Sequence, residues 1–237
     1  MFGGYQRYLS GPALWRKLSL MPLPLRRLLA NMIDGLPEGL KNAINPGTAE
    51  WQDRLTKLTR AMRSENFDGF AHAFLIKNDP SLVRGAQDIP IPLTQDKWRP
   101  SSLNALQTLI FNDCLHYLPN DILVKIDRAS MAASLELRAP LLDYRIYEFM
   151  WSLPDTMRVR GGKGKYLLRQ LLKDYVPAEL IDRPKQGFSV PIRTWLKGPL
   201  KQWAENLINN DDGYLNQEHV QTLWHRFQSG QGHEFDK

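Results

Sequence analysis

Only one cysteine, Cys114, stands in the 237 residues. A lone thiol excludes an internal disulfide and a cysteine-based zinc site, and it suits a reducing, cytoplasmic setting. No uninterrupted apolar run approaches the ~20 residues of a helical membrane span. The opening "MFGGYQRYLSG" carries no apolar signal core, so neither export nor a membrane partner is expected. Acidic charge is the scarcer sign, with 25 Asp and Glu against 31 Lys and Arg, for a formal net charge of +6. That balance favours anionic partners. A long Lys/Arg block is also missing, so a plain solvated basic surface is an equal reading. The five histidines lack paired ligand spacing beyond the loose His219 and His225, and no metal site is expected in the chain. Convincing strand alternation is missing throughout.

What is present is mostly helical patterning on a chain that is 43% hydrophobic, enough to bury a sizeable core. "PALWRKLSL" reads as a short amphipathic segment ending before Pro22. "LPLRRLLANMIDGL" places Leu25, Leu28, Leu29 and Met32 on one face, with Arg26 and Arg27 off it. Trp51, Leu55, Leu58 and Met62 recur at helical spacing, with Thr48 as N-cap, and a short helix is expected over Phe67–Leu75. Residues 77–100 carry several prolines and read as an irregular connection between a helical segment 1–76 and another, 101–237. In the latter, a strong helix starts near Ser101 and breaks at Pro119. The next begins with Asn120 or Asp121 as N-cap and is stopped by Pro140. The tryptophans read as core aromatics, and Cys114 as a buried thiol.

Three stretches combine polar density with apolar neighbours. In "MFGGYQRY" two adjacent glycines permit a tight turn and close backbone approach to a ligand, or simply a loop. In "NDILVKIDRASMAASLELRAPLLD", Asp127 and Arg128 precede a small-residue run, and Glu136 and Arg138 precede Pro140. A structural ion-pair network anchoring a buried helix end explains that pattern as well as a site does. In "RPKQGFSVPI", Pro184 and Gly187 punctuate a short turn that carries Lys185. A lysine held this way loses less freedom on binding phosphate, and its ammonium suits developing charge on a phosphoryl group. A solvated loop lysine is the alternative.

Together, "FGGYQRY", "YLPNDILVKIDRASMAASLELRAPLLD", "KGKYLLRQLLKDYVPAELIDRPKQGFSVPI" and "HRFQSGQGHEFDK" resemble the synthetase domain of glutamine-hydrolysing asparagine synthetases. The likeness is greatest to the asparagine-synthetase-like proteins of bacterial polysaccharide clusters. The resemblance implies a mostly α chain, the helical C-terminal half of an α/β synthetase domain of the ATP-pyrophosphatase (adenine nucleotide alpha hydrolase-like) type. It implies an ATP-dependent carbon–nitrogen ligase, in which ATP activates aspartate as aspartyl-AMP. Ammonia from a glutaminase domain or subunit then displaces AMP, and Mg²⁺ bridges the phosphates. Lys185 matches the family's catalytic loop lysine, and Gly187 the turn residue beside it. Asp121 and Asp127 lie where the family has acidic or polar residues near the aspartate and nucleotide pocket. Glu136 and Arg138 match its E-x-R-x-P element, read as architecture.

The departures are as informative. The family's pyrophosphate loop, S-G-G-x-D-S, is nowhere in these residues. A second motif resembling G-D-G-G-D-E normally precedes "FGGY". Met1 therefore reads as an internal methionine of a longer protein, and the chain as a fragment without a glutaminase domain, inactive alone. Two alternatives stay open. One is a subunit of a split amidotransferase acting on a sugar acid or other carboxylate. The other is a non-catalytic helical binding module; a nucleic-acid ligand for it is suggested by charge alone and disfavoured by the missing basic patch. A homodimer is also compatible with the sequence.

Overall fold

The computed structural model describes residues 1–37, 49–75, 80–86, 100, 102–181, 190–210 and 212–229. Thr48, Trp98, Lys185 and Gly187 lie outside them, as does the side chain of Trp51. The chain is mostly helical and forms two compact units. One comprises Met1–Leu20 and Pro92–Pro184, the other Met21–Ile91 and Lys185–Lys237.

The first unit opens with α1, Arg7–Leu18. This helix starts before the expected "PALWRKLSL" and runs through Pro12. It buries Tyr8, Gly11 and Leu18 and packs on α5, Ala105–Asn112. The start of α5 is a capping box. Asn104 accepts from the Gln107 N–H at 3.0 Å, and the Gln107 side chain accepts from the Asn104 N–H at 3.1 Å. Two of the unpaired N–H groups at the helix start are thereby satisfied.

The expected break at Pro119 does not occur. The helix continues from α5 as a π-helix, Asp113–Leu123, and then as α6, Val124–Met131. Proline lacks a donor and crowds the carbonyl four residues back. A wider i→i+5 turn spares that register, so the proline is absorbed rather than ending the rod. The expected stop at Pro140 comes early instead. Ser134 takes a left-handed φ of 57°, and the Leu135 N–H donates to the Ser130 carbonyl at 3.0 Å. This closes α6 in the manner of a left-handed C-terminal cap, and Pro140–Leu142 forms a separate 3₁₀ turn.

α7, Tyr144–Ser152, is capped by Asp143, whose side chain accepts from the Arg145 N–H. A two-stranded hairpin follows, β1 Val159–Arg160 and β2 Lys163–Gly164, paired antiparallel. The sequence reading missed it because each strand is two residues long. The signal was present in the Gly161-Gly162 turn, where both residues have positive φ, 58° and 73°, as a tight hairpin turn demands. α8, Tyr166–Leu172, and α9, Ala178–Ile181, complete the described part. Leu109, Ile110 and Met150 are its buried apolar centre. Arg158 is buried among them at 1% exposure, donating to the carbonyls of Met150 and Leu153 and to Asp155.

In the second unit, α2, Leu23–Asp34, packs on α3, Ala49–Met62, which packs on α4, Phe67–Leu75. The buried face of α2 differs from the expectation, of whose four residues Leu29 alone is half-buried. Arg26 and Ala30 are buried, whereas Leu25, Leu28 and Met32 are 44%, 56% and 61% exposed. Arg26 donates to the Ser64 carbonyl at 2.9 Å, just past the end of α3, where unpaired carbonyls and the negative helix pole favour a cation. The turn Pro80–Leu82 follows, and Val83 bridges Leu215. α10, Ile192–Lys197, α11, Lys201–Ile208, and α12, Gln217–Gln228, surround Ala204, Trp224 and Phe227. Trp224 is a core aromatic as expected, but Trp195 and Trp203 are 41% and 57% exposed.

Candidate active site

Three of the stretches singled out in the sequence meet in the first unit. Gly3 and Gly4 abut the segment Lys163–Lys165. The Lys165 N–H donates to the Phe2 carbonyl at 3.0 Å. A Cβ on Gly164 would stand 2.0 Å from the Gly3 carbonyl oxygen, and one on Gly4 would stand 2.5 Å from Cε of Lys165. The glycines thus serve a close approach of backbone to backbone and of backbone to a lysine stem. Lys165 itself sits at φ 57°, ψ 34°, immediately before α8. Left-handed geometry at a non-glycine residue is uncommon and costs about 1 kcal/mol or more.

The same opening stretch is tied to the π-helix. Arg7 donates to both carboxylate oxygens of Asp113, at 2.8 and 2.7 Å, and the Tyr8 hydroxyl donates to Asp113 as well. The Asp113 side chain is only 8% exposed. The Arg7 guanidinium also lies 4.4 Å from the Tyr5 ring centre and 5.4 Å from that of Tyr117, within range of a cation–π attraction. Burial, with Tyr117 adjoining, pushes the Tyr5 hydroxyl up to about 12. Burial and the Asp113 charge raise Tyr8 further. Burial alone would lower Arg7, but the hydrogen bond and charge of Asp113 outweigh it and raise it. All three groups are therefore held in their ordinary neutral-pH states, as a fixed brace.

Of the sequence-predicted residues, Asp121 and Asp127 lie at the end of the π-helix and on α6. Asp121 accepts from Lys125 at 3.2 Å, one turn on, and its side chain is 46% exposed. Asp127 is exposed. Glu136 and Arg138 pair with each other at 2.9 Å, 69% and 84% exposed. The pair forms, but on the surface, where such contacts contribute little. Among the described residues, the side-chain partners of Asp121, Glu136 and Arg138 lie outside both Lys165 and the Asp113 brace. No group of three or more His, Cys, Asp or Glu among the described residues could hold a metal ion. Lys165 and Asp113 are the residues that sequence reasoning passed over. The left-handed strain of Lys165 has no sequence signal, and Asp113 looked like one more polar position on a helix.

The stretches that converge here also match a known family across the entire chain. The family model for asparagine synthase matches residues 1–237. The chain belongs to the asparagine synthase family. It is 31% identical over 228 residues to the glutamine-hydrolyzing asparagine synthetase 1 of Bacillus subtilis (strain 168), covering 94% of this chain and 34% of that protein. It is 33% identical over 219 residues to a putative glutamine-hydrolyzing asparagine synthetase of Mycobacterium bovis, covering 91% of this chain and 32% of the relative. The human glutamine-hydrolyzing asparagine synthetase is 36% identical over 94 residues, 37% of this chain and 17% of its own length. The chain therefore spans about a third of the length of the first two relatives. No solved structure matches it. As an asparagine synthase family chain it carries, among its described residues, no helix long and apolar enough to cross a membrane.

Proposed function

We propose that this chain contributes the lysine-bearing, helical part of the synthetase site in a glutamine-dependent asparagine synthesis. The observation that carries the reading is the convergence of "FGGYQRY", the Asp113 π-helix and "KGKY" in one unit of an asparagine synthase family chain. In the proposed reaction, a side-chain carboxylate oxygen of aspartate attacks the α-phosphorus of ATP. Pyrophosphate leaves, and aspartyl-AMP forms. Ammonia then attacks the acyl carbon and AMP leaves, giving asparagine. Lys185 steadies charge on the phosphates and the acyl centre, with Gly187 letting its loop approach. Lys165, strained and packed over Gly4, is a second ammonium positioned by the fold. Asp121 and Asp127 are retained as candidates for the substrate side, and Glu136 and Arg138 as framework. Mg²⁺ would neutralise phosphate charge, but the described residues do not by themselves build its site.

We further propose that these 237 residues alone do not complete the reaction, since they contain no S-G-G-x-D-S loop to supply phosphate-binding N–H groups. Residues 131–142 are exposed throughout, with Leu135 at 64% and Leu137 at 54%. Such a surface suits cover by the phosphate-binding part, whether on the same polypeptide or, as in a split amidotransferase acting on another carboxylate, on a separate subunit. The purified chain, supplied with aspartate, ATP, Mg²⁺ and ammonia, should release no asparagine or AMP above background. Turnover by this chain alone would overturn the proposal. In a protein that also contains the loop, Lys185→Gln should lower kcat by about 10² or more.

A further inference from the structure

β1, the Gly161-Gly162 turn, β2 and the faces of α8 and α9 enclose a cleft of about 250 Å³ in the first unit. Arg160, Lys163, Arg169 and Lys173 line it, with Tyr166 and Gln170 between them. Among the described residues, no carboxylate lines it. Four basic side chains around so small a volume give the cleft a positive lining. Local structure holds three of them in place. Arg160 donates to the Tyr166 hydroxyl at 2.9 Å and stacks on its ring at 5.1 Å. Arg169 donates to the carbonyls of Gly164 and Ile181, at 3.2 and 3.5 Å. Lys173 donates to the Gln170 side chain at 3.2 Å. These tethers reduce the freedom lost on binding. None of Asp121, Asp127, Glu136 or Arg138 lines the cleft, and the inference does not depend on the synthetase reading.

We propose that this cleft binds a small phosphorylated anion. Its charge suits a compact ligand with several negative charges better than a single carboxylate, since each added negative charge gains attraction to the basic lining, and guanidinium and ammonium donors form charge-assisted hydrogen bonds to phosphate oxygens. The Tyr166 ring is already covered by Arg160, so the cleft recognises the phosphate part rather than a stacked base.

The test titrates inorganic pyrophosphate into the full chain by calorimetry at low and physiological salt, with circular dichroism confirming the fold of each variant. The expected result is saturable, salt-sensitive binding that weakens at least about tenfold in Lys163→Gln/Lys173→Gln. Lys17→Gln, which removes an exposed charge from α1, should leave it unchanged. Equal weakening by Lys17→Gln would reveal general surface charge and overturn the proposal. Loss of binding in Lys185→Gln with retention in the double variant would also overturn it, by assigning the anion to the 183–192 loop. Should the double variant fail to fold, Lys173→Gln alone decides by the same comparison.

Discussion

At the scale of single residues, the Asp113 brace is the sharpest feature. One buried carboxylate accepts from Arg7 and Tyr8, so its removal strands a guanidinium and a hydroxyl. Asp113→Ala should cost about 3 kcal/mol in urea unfolding followed by circular dichroism. Tyr8→Phe removes one donor and should cost about 1 kcal/mol. His116 offers a pH readout. Burial lowers its value below the ordinary 6.5, and Nε2 has no partner among the described residues. The unfolded chain therefore takes up this proton first. Stability should be fully present above 6.5 and fall as pH drops through 6.5 towards the folded value. Thermal unfolding from pH 8 to pH 5 checks this, and His116→Asn should flatten that acid limb.

At the scale of elements, the hairpin and the glycine pair separate two roles of glycine. A Cβ on Gly164 meets the Gly3 carbonyl oxygen, whereas one on Gly161 meets nothing within 4 Å. Gly164→Ala must move backbone and should cost upwards of about 2 kcal/mol. Gly161→Ala carries only the left-handed penalty, about 1 kcal/mol. Comparable unfolding midpoints for the two variants would contradict this packing. The π-helix makes a complementary point. Pro119 promised a helix end, but its effect depends on the hydrogen-bond register around it, which widens to the π form over Asp113–Leu123.

At the scale of the molecule, each unit leaves apolar surface in contact with solvent. In the first, Met131, Leu135, Leu137, Leu141, Leu142 and Tyr144 are all at least 40% exposed. Single exposed leucines are ordinary, but six large apolar side chains within fourteen residues make an apolar patch open to association. The isolated chain should bind a hydrophobic dye and self-associate with rising concentration in analytical ultracentrifugation. Leu135→Ser/Leu137→Ser should reduce both without lowering helix content.

Much of this was legible in the sequence. Helical periodicity fixed Phe67–Leu75 and the predominance of helix among the described residues, because local spacing alone decides those features. The ordered stretches likewise carried the asparagine synthase family, which the comparison over residues 1–237 shows. Tertiary structure decided what local spacing cannot encode. It chose which face of α2 is buried, because an arginine there reaches the end of a distant helix. It carried a helix through Pro119 by changing its register. It used the paired glycines for contact with Gly164 and Lys165, 161 residues away. Finally, it gathered Arg160, Lys163, Arg169 and Lys173 around one cleft, although the chain holds no block of basic residues.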